Sequence, residues 1–531
     1  PVIIYGYRIT DPWFNPIKIR DHNPFSAKIL CDPLILSDYS SRHVDDRRPM
    51  GALNPSHIVG AARPTPDRAH VPSQLAGVVH RTCPKMPKPH KNKLKELRRA
   101  TDRVFDTYLR PLDESEIIPF ADYVQSLAKP QSYKDSLIQY HNEAALGVGH
   151  IKGKRTMASF TKDECYDEYK QQRGIQGTSK DSFKKDIAYY YGRNIRSIED
   201  FLYARLPCNV KHTTPKQRME MVKLFSENGL ATSDYSSFEA SHSADLLDHS
   251  IRPILNRLLG ATTSHELIEI YFKWVLTGDK ILKFRNGMIV ELTTNVEMSG
   301  DSSTSLANYL LNYLVWVTIL LRNGKTLHEI ETMLIIEGDD VLADPKDAPV
   351  TATDFFELGL IAKIQTNLTK NEAGFCQLFF SGDTICADPL KKLVSFSRIP
   401  ERYLNAGRKC HNSLLRAQGL SMLSLHNGSP IVHELALAIL RITKGYTVRD
   451  NHVDTVSYAA QTDILSLDWR TLAAVPVTSE SRLLVEEVFR IPIETQLIVE
   501  SKLKAWNGGP LRLPLEFPTL WCDFYDLYTR Q

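Results

Sequence analysis

Apolar and polar positions follow several distinct patterns along this chain. The longest apolar stretch, Leu306 to Leu321, is broken by Asn308 and Asn312. It falls short of the ~20 apolar residues a membrane span needs, so it predicts a buried helix. Next, Met333–Ile336, Glu337-Gly338-Asp339-Asp340 and Val341–Ala343 read as two short apolar strands around a polar turn. Leu224–Thr232 leads into Ser233-Asp234-Tyr235-Ser236-Ser237, and helical spacing resumes through Leu246, Leu247, Ile251, Ile254 and Leu258. That succession predicts strand, loop, helix. Lys91 to Leu127 is broadly helical, and beyond about Arg398 the pattern is mostly helical, including His433–Ile442. Residues 1–66 carry many prolines and aromatics without a sustained period, which predicts an irregular, wrapping extension. Residues 150–180 are polar and basic, broken by Gly153, Gly174 and Gly177. No internal repeat or low-complexity tract stands out.

Composition narrows the picture only a little. A length of 531 residues predicts roughly three or four domain-sized units. Apolar content of 42% and charged content of 24% are those of a soluble globular protein. The formal net charge of +3 says little about partners, but local charge says more. Lys85, Lys88, Lys91, Lys93, Lys95, Arg98 and Arg99 stand against the single acid Glu96. Two readings remain open for that run: a phosphate-binding surface, or a solvated face. Eight cysteines without a CxxC pair argue against a zinc ribbon and against a disulfide framework, leaving reduced thiols. Starting at Pro1 with no signal-peptide pattern, the chain reads as trimmed or cut from a larger product, with no membrane segment of its own.

The candidate chemistry begins with Asp339 and Asp340. Two adjacent acids at the tip of an apolar hairpin repel each other unless a cation sits there, and hard oxygen ligands suit Mg²⁺ or Mn²⁺. Taken alone, the pair is equally an ordinary Gly-Asp turn. Asp234 also follows an apolar segment and precedes a turn, so it could stand at the carboxyl end of a neighbouring strand. Two such strands side by side would offer carboxylates to a pair of cations ~3.5–4 Å apart, the arrangement of two-metal phosphoryl transfer. The plain alternative for Asp234 is a helix N-cap. Between these acids, Ser299-Gly300-Asp301-Ser302-Ser303-Thr304 feeds a helix in which Thr304 and Asn308 share one face.

These three segments resemble motifs A, B and C of viral RNA-dependent RNA polymerases: Asp234-x4-Glu239, Ser299-Gly300-x3-Thr304-x3-Asn308, and Gly338-Asp339-Asp340. They occur in the family's order. Lys162-x-Glu164 followed by Lys170-Gln171-Gln172-Arg173 is similar to motif F, which implies that Lys162, Lys170 and Arg173 hold the nucleotide triphosphate. Lys363 sits where motif D places a lysine that protonates pyrophosphate, with Lys370 as a rival. Phe375-Cys376-Gln377, with Asp388-Pro389-Leu390-Lys391-Lys392, resembles motif E, the hairpin that supports the primer strand. The wording of motifs B and E is closest to the tombusvirus-like and nodavirus-like groups. One departure stands out: Glu239 occupies a place where the family commonly has Asp, and there it would sense the ribose 2′-hydroxyl together with Ser299, Thr304 and Asn308.

The resemblance covers about residues 150–400. It implies an α+β, right-hand fold with an antiparallel palm sheet of the RNA-recognition-motif type and a mostly helical thumb. After the 1–66 extension come fingers at 67–223 and 259–297, palm at 224–258 and 298–397, and thumb at 398–531. The implied activity is template-directed RNA synthesis from NTPs by a positive-strand RNA virus, with two Mg²⁺ (or Mn²⁺) ions on Asp234, Asp339 and Asp340. Gly300, Phe375, Cys376, Gln377, Lys391 and Lys392 would contact template or primer. RNA template, nascent RNA and other viral replication proteins would be partners, in host cytoplasm at membrane-associated replication complexes. Two rivals are a catalytically degenerate RNA-binding scaffold and a reverse transcriptase. The second usually carries an aromatic residue before its Asp pair, where this chain has Glu337-Gly338.

Overall fold

The computed structural model describes residues 2–4, 7–9, 27–31, 52–61, 74, 77–78, 81–127, 131–145, 155–162, 175–179, 192–211, 213–265, 268, 272, 280–284, 287–292, 303–399, 403, 405–449 and 468–518. Helix α1 (Lys91–Tyr108) buries Leu94, Leu97, Val104 and Phe105 along one face, as its spacing predicts. Helix α2 (Pro215–Lys223) starts at a Thr214/Gln217 capping box with proline in its first turn. Strand β1 (Leu230–Tyr235) follows Gly229, whose φ of +83° makes the turn into it. Asp234 lies within this strand rather than in a loop after it, and Ser243 caps the next helix. That settles against the N-cap reading. The helical spacing after β1 resolves into α3 (Ala244–His249) and α4 (Ile251–Leu259), broken at Ser250.

The long apolar run becomes α5 (Thr304–Arg322), in which every residue from Leu306 to Leu320 is buried. A helix apolar all round belongs in a core. Among the described residues, α5 alone is long and apolar enough to cross a membrane, and here most of it is covered by protein. Two strands follow, β2 (Leu334–Glu337) and β3 (Asp340–Ala343), then β4 (Ala362–Leu368) and the hairpin of β5 (Leu378–Ser381) and β6 (Thr384–Ala387).

Strands β2, β3, β1 and β4 form one antiparallel sheet in that spatial order. Its pleat sends Ala231, Tyr235, Leu334, Ile336, Val341 and Ala343 into a large core shared with α1, α3, α4 and α5. Leu230, Ile335 and Leu342 point the other way, onto Val222, Phe225, Phe375, Phe380 and Ile385. Burial on both faces explains why Met333–Ile336 reads as an unbroken apolar run. The second cover reaches only part of the sheet, so the end that carries the β2–β3 turn stays open.

A separate five-stranded sheet has the spatial order Ala27–Cys31, Ile289–Leu292, Lys280–Phe284, Arg155–Thr161, Ile175–Ser179. Two of its strands lie in the 150–180 segment, whose polar sequence gave no strand signal. A third corrects the picture of residues 1–66 as wholly irregular. Likewise Ala52–Leu53 pairs with Arg398–Ile399, and Ile58 bridges Leu511. These pairings join positions hundreds of residues apart, so no local pattern announces them.

The predicted helical C-terminal part contains α6 (Arg408–His426), α7 (Val432–Ile442), α8 (Ser479–Phe489) and α9 (Ile493–Ala505). Their core gathers Leu423, Leu435, Ile439, Leu484, Val499 and Leu503, with Ile58 from the N-terminal part. Gly419 lets α6 approach α7: a Cβ there would stand 2.7 Å from Cγ2 of Ile439. The chain is therefore of α+β class, mixing helices with small sheets.

Candidate active site

The open end of the central sheet is built by register. Glu337 pairs with Asp340 across the β2–β3 hairpin, whose two-residue loop is Gly338-Asp339. Gly338 adopts φ +62°, the left-handed conformation such a loop needs at its first position. Val341 pairs with Ser233, so the next step along the two strands sets Asp340 beside Asp234. On the far side of β1, Asp234 pairs with Lys363. Paired residues point to the same face, so Glu337, Asp340, Asp234 and Lys363 form one row across four strands, neighbours about 5 Å apart. Asp339 stands at the tip above them.

The surroundings hold this row in place. Asn312 of α5 donates to the Gly338 carbonyl (3.0 Å) and accepts from the Tyr235 hydroxyl (2.8 Å), tying the turn to β1. Arg218 of α2 pairs with Glu337 at 3.4 Å, and also donates to Thr213 Oγ1 and the Val210 carbonyl. Cys376 Sγ lies 3.8 Å from Glu337 Oε2. Cys376 and Gln377 are the loop of a tight turn closed by reciprocal Phe375–Leu378 backbone hydrogen bonds. Both loop residues take positive φ (51° and 60°), a strained conformation for residues other than glycine. This turn brings the Cys376 thiol to Glu337 and Asp340.

The electrostatics identify who faces whom. Desolvation by the surrounding protein pushes Asp339 up to about 6, although the residue is exposed at the turn. The charges of Glu239 and Asp340 add to the shift, and Lys162 opposes it. Asp340 is raised mainly by desolvation, with Glu337 and Asp234 contributing and a Cys376 hydrogen bond opposing. Glu239 and Lys162 therefore lie near enough for their charges to act on Asp339. Glu239 lies in a single 3-10 turn, Phe238–Ser241, entered through Ser237 at φ +57°.

The row gathers most, but not all, of the residues singled out by sequence. Asp234, Asp339, Asp340, Glu239, Lys162 and Lys363 converge. Lys370 is held by the Phe225 carbonyl (3.0 Å) and Glu227 (2.9 Å), so Lys363 is the lysine that meets the aspartates. Thr304 opens α5, and Asn308 one turn on is buried with its Oδ1 lacking a hydrogen-bond partner. Phe375 is 1% exposed and belongs to the core beneath the sheet, which removes it as a direct contact for RNA. Lys391 and Lys392 lie not in the hairpin but on the helix Pro389–Ser395. There burial lowers the Lys392 pKa, against the charge of Asp388, and leaves that side chain only partly exposed, while Lys391 is exposed. Lys170, Arg173, Ser299 and Gly300 lie outside the described residues.

Glu337, Arg218 and Asn312 were missed. Strand alternation could have flagged Glu337, since it shares a face with Ile335 beside the acidic turn. Arg218 gives no such signal, because only the tertiary fold brings it to Glu337.

The donor set at the tip suits a hard divalent cation: carboxylates of Asp234, Asp339 and Asp340, crowded enough to push Asp339 up, at an open sheet end. Among the described residues, no three His, Cys, Asp or Glu side chains close into a ready-made metal cage. Mg²⁺ characteristically takes one or two carboxylates and completes its shell with water and substrate phosphate. No protein-family model matches the chain, and no curated protein matches it.

Proposed function

We propose that the chain is a viral RNA-dependent RNA polymerase that copies an RNA template from NTPs, with the central sheet as the palm of a right-hand fold. The observation that carries this reading is the meeting of Asp234 with Asp339 and Asp340, from segments about a hundred residues apart, at one open sheet end. The order of the motifs in the sequence supports it further.

In this reading Asp234 and Asp339, with Asp340 beside them, hold two Mg²⁺ or Mn²⁺ ions. Such ions stabilise the attacking and leaving oxygens of an in-line displacement and make a 3′-hydroxyl more acidic. The chain's own groups do the rest. Lys162, with Lys170 and Arg173, neutralises the triphosphate opposite the aspartates. Lys363, paired with Asp234, stands where it can donate a proton to departing pyrophosphate. Glu239, with Ser299, Thr304 and Asn308, reads the ribose 2′-hydroxyl, and the unsatisfied Oδ1 of Asn308 gives that hydroxyl an acceptor. Cys376 and Gln377 face the primer terminus, while Gly300 lets template backbone pass closely. Work at replication complexes in the host cytoplasm, with other viral replication proteins, belongs to the same reading.

A second reading is a scaffold that binds RNA without copying it. Incubating the purified chain with a homopolymeric RNA template, labelled NTPs and Mg²⁺ or Mn²⁺ separates the two. Template-dependent, metal-dependent incorporation is expected, and runs with and without primer define how synthesis starts. RNA binding with no incorporation under either metal would favour the scaffold.

A further inference from the structure

The basic run before and within α1 is sorted by the fold into two sets. Lys93 pairs with Glu96 and Glu357, and Arg98 pairs with Asp102. Lys91, Lys95, Arg99 and Arg103 are exposed and have no ion pair among the described residues. They recur every fourth residue, each ~6 Å further along the helix axis, in a line that winds slowly through the middle of the solvent face. Opposite them, Leu94, Leu97, Ala100, Thr101, Val104 and Phe105 are buried in the core. Because α1 packs into the core on the sheet face opposite to the one that carries Phe375 and the acid row, this line lies away from those acids.

A second feature argues that the line is not merely a solvated face. The first turn of α1 holds Lys91 and Lys93 and no acid, and its last turn holds no base. That order opposes the helix dipole, which favours acids first and bases last by a few tenths of a kcal/mol per charge. A helix shaped for stability alone would not be charged this way.

We infer that the solvent face of α1 is a nucleic-acid contact surface, fitted to a single RNA strand lying outside the acid row. A line of unpaired cations matches a line of phosphates. Phe356, 55% exposed, adjoins the start of α1, where the His90 amide donates to the Glu357 carbonyl (2.8 Å). Exposed aromatic rings near basic surfaces are where single-stranded bases stack. A membrane surface fits less well: a helix that lies on lipid inserts its own apolar face, and the apolar face of α1 is already occupied by the core. This inference holds whether or not the acid row turns over nucleotides.

The test replaces Lys91, Lys95, Arg99 and Arg103 together by Gln, which keeps helix propensity, with far-UV circular dichroism as the check on folding. Binding of fluorescein-labelled oligouridine is followed by anisotropy across a salt series. Removing one cation that neutralises a phosphate makes the salt slope shallower by about 0.7, so a change of up to ~3 is expected, with affinity at least ~10-fold weaker at low salt. A companion in which the two lysines become Arg and the two arginines become Lys should bind as the wild type does. The same weakening should appear in an Asp339→Asn background, which separates failure of this surface from failure of the polymerase reading. An unchanged affinity and slope would overturn the inference. So would weakened binding confined to phosphatidylserine vesicles with RNA binding intact.

Discussion

Two regions of this protein place carboxylates among packed elements, and they resolve the charge in opposite ways. In the C-terminal helical core, Glu500 accepts both arms of Arg482 (2.8 and 3.0 Å) and the amide of Ile431 (3.0 Å). Both charges of this pair are matched, and Ile431, whose amide joins it, takes φ +64°, an outlier for a β-branched residue. At the open end of the central sheet, Glu337, Asp340 and Asp234 stand side by side, with Arg218 at one end of the row, Lys363 at the other, and the Lys162 charge acting on Asp339. Asp339 and Glu239 add to the crowding. The first arrangement is what a structure needs to fold. The second leaves repulsion in place, which a fold tolerates where something else completes the site.

Changes in each region should therefore move stability in different directions. The largest effect is expected from Arg482→Ala, which leaves the Glu500 carboxylate buried and unpaired. A loss on the order of 3–5 kcal/mol should appear in urea unfolding. A loss below about 1 kcal/mol would erase the contrast.

His426 belongs to the same settled core. Burial chiefly, with the Lys392 charge, depresses its imidazole to about 3, and the Ile385 carbonyl opposes that. The unfolded imidazole titrates near ~6.5, so the folded state is fully favoured above that pH and loses ground as pH falls toward 3. At pH 5.5 the loss should be about 1.4 kcal/mol, and His426→Asn should flatten this limb of the urea-midpoint profile.

Smaller effects are expected at the sheet end. Gln377→Gly should relieve a left-handed side chain and stabilise the protein by ~1 kcal/mol, read as a rise in the urea midpoint. Glu239→Ala removes one charge facing Asp339 and should raise the midpoint slightly in metal-free buffer. In the proposed polymerase it should also erode selection of NTP over dNTP, and an unchanged ratio would assign that sensing to Asn308.

Much of this contrast could be read from the sequence, for identifiable reasons. The β2–β3 hairpin announced itself through apolar strands around Gly338-Asp339-Asp340, and α5 through an apolar run too short and too amide-bearing for a membrane. The pairing of β1 with β3 was an expectation built on order and spacing, and the register made it concrete. What escaped notice depends on distant parts of the chain. Arg218 meets Glu337 only once α2 has packed beneath the sheet. The strands at 155–161 and 175–179 are too polar and glycine-broken to declare themselves. Phe375 looked available to RNA in one dimension and is withdrawn by packing in three.

The proposed polymerase requires the acid row to be a metal-dependent catalytic site and not a strained structural feature. Single-nucleotide addition to a primed RNA template, in Mg²⁺, by the wild-type chain and by Asp339→Asn at matched RNA occupancy tests it most directly. The account predicts extension by the wild type, none by Asp339→Asn, and comparable RNA binding by both. Extension by Asp339→Asn at the wild-type rate would contradict it.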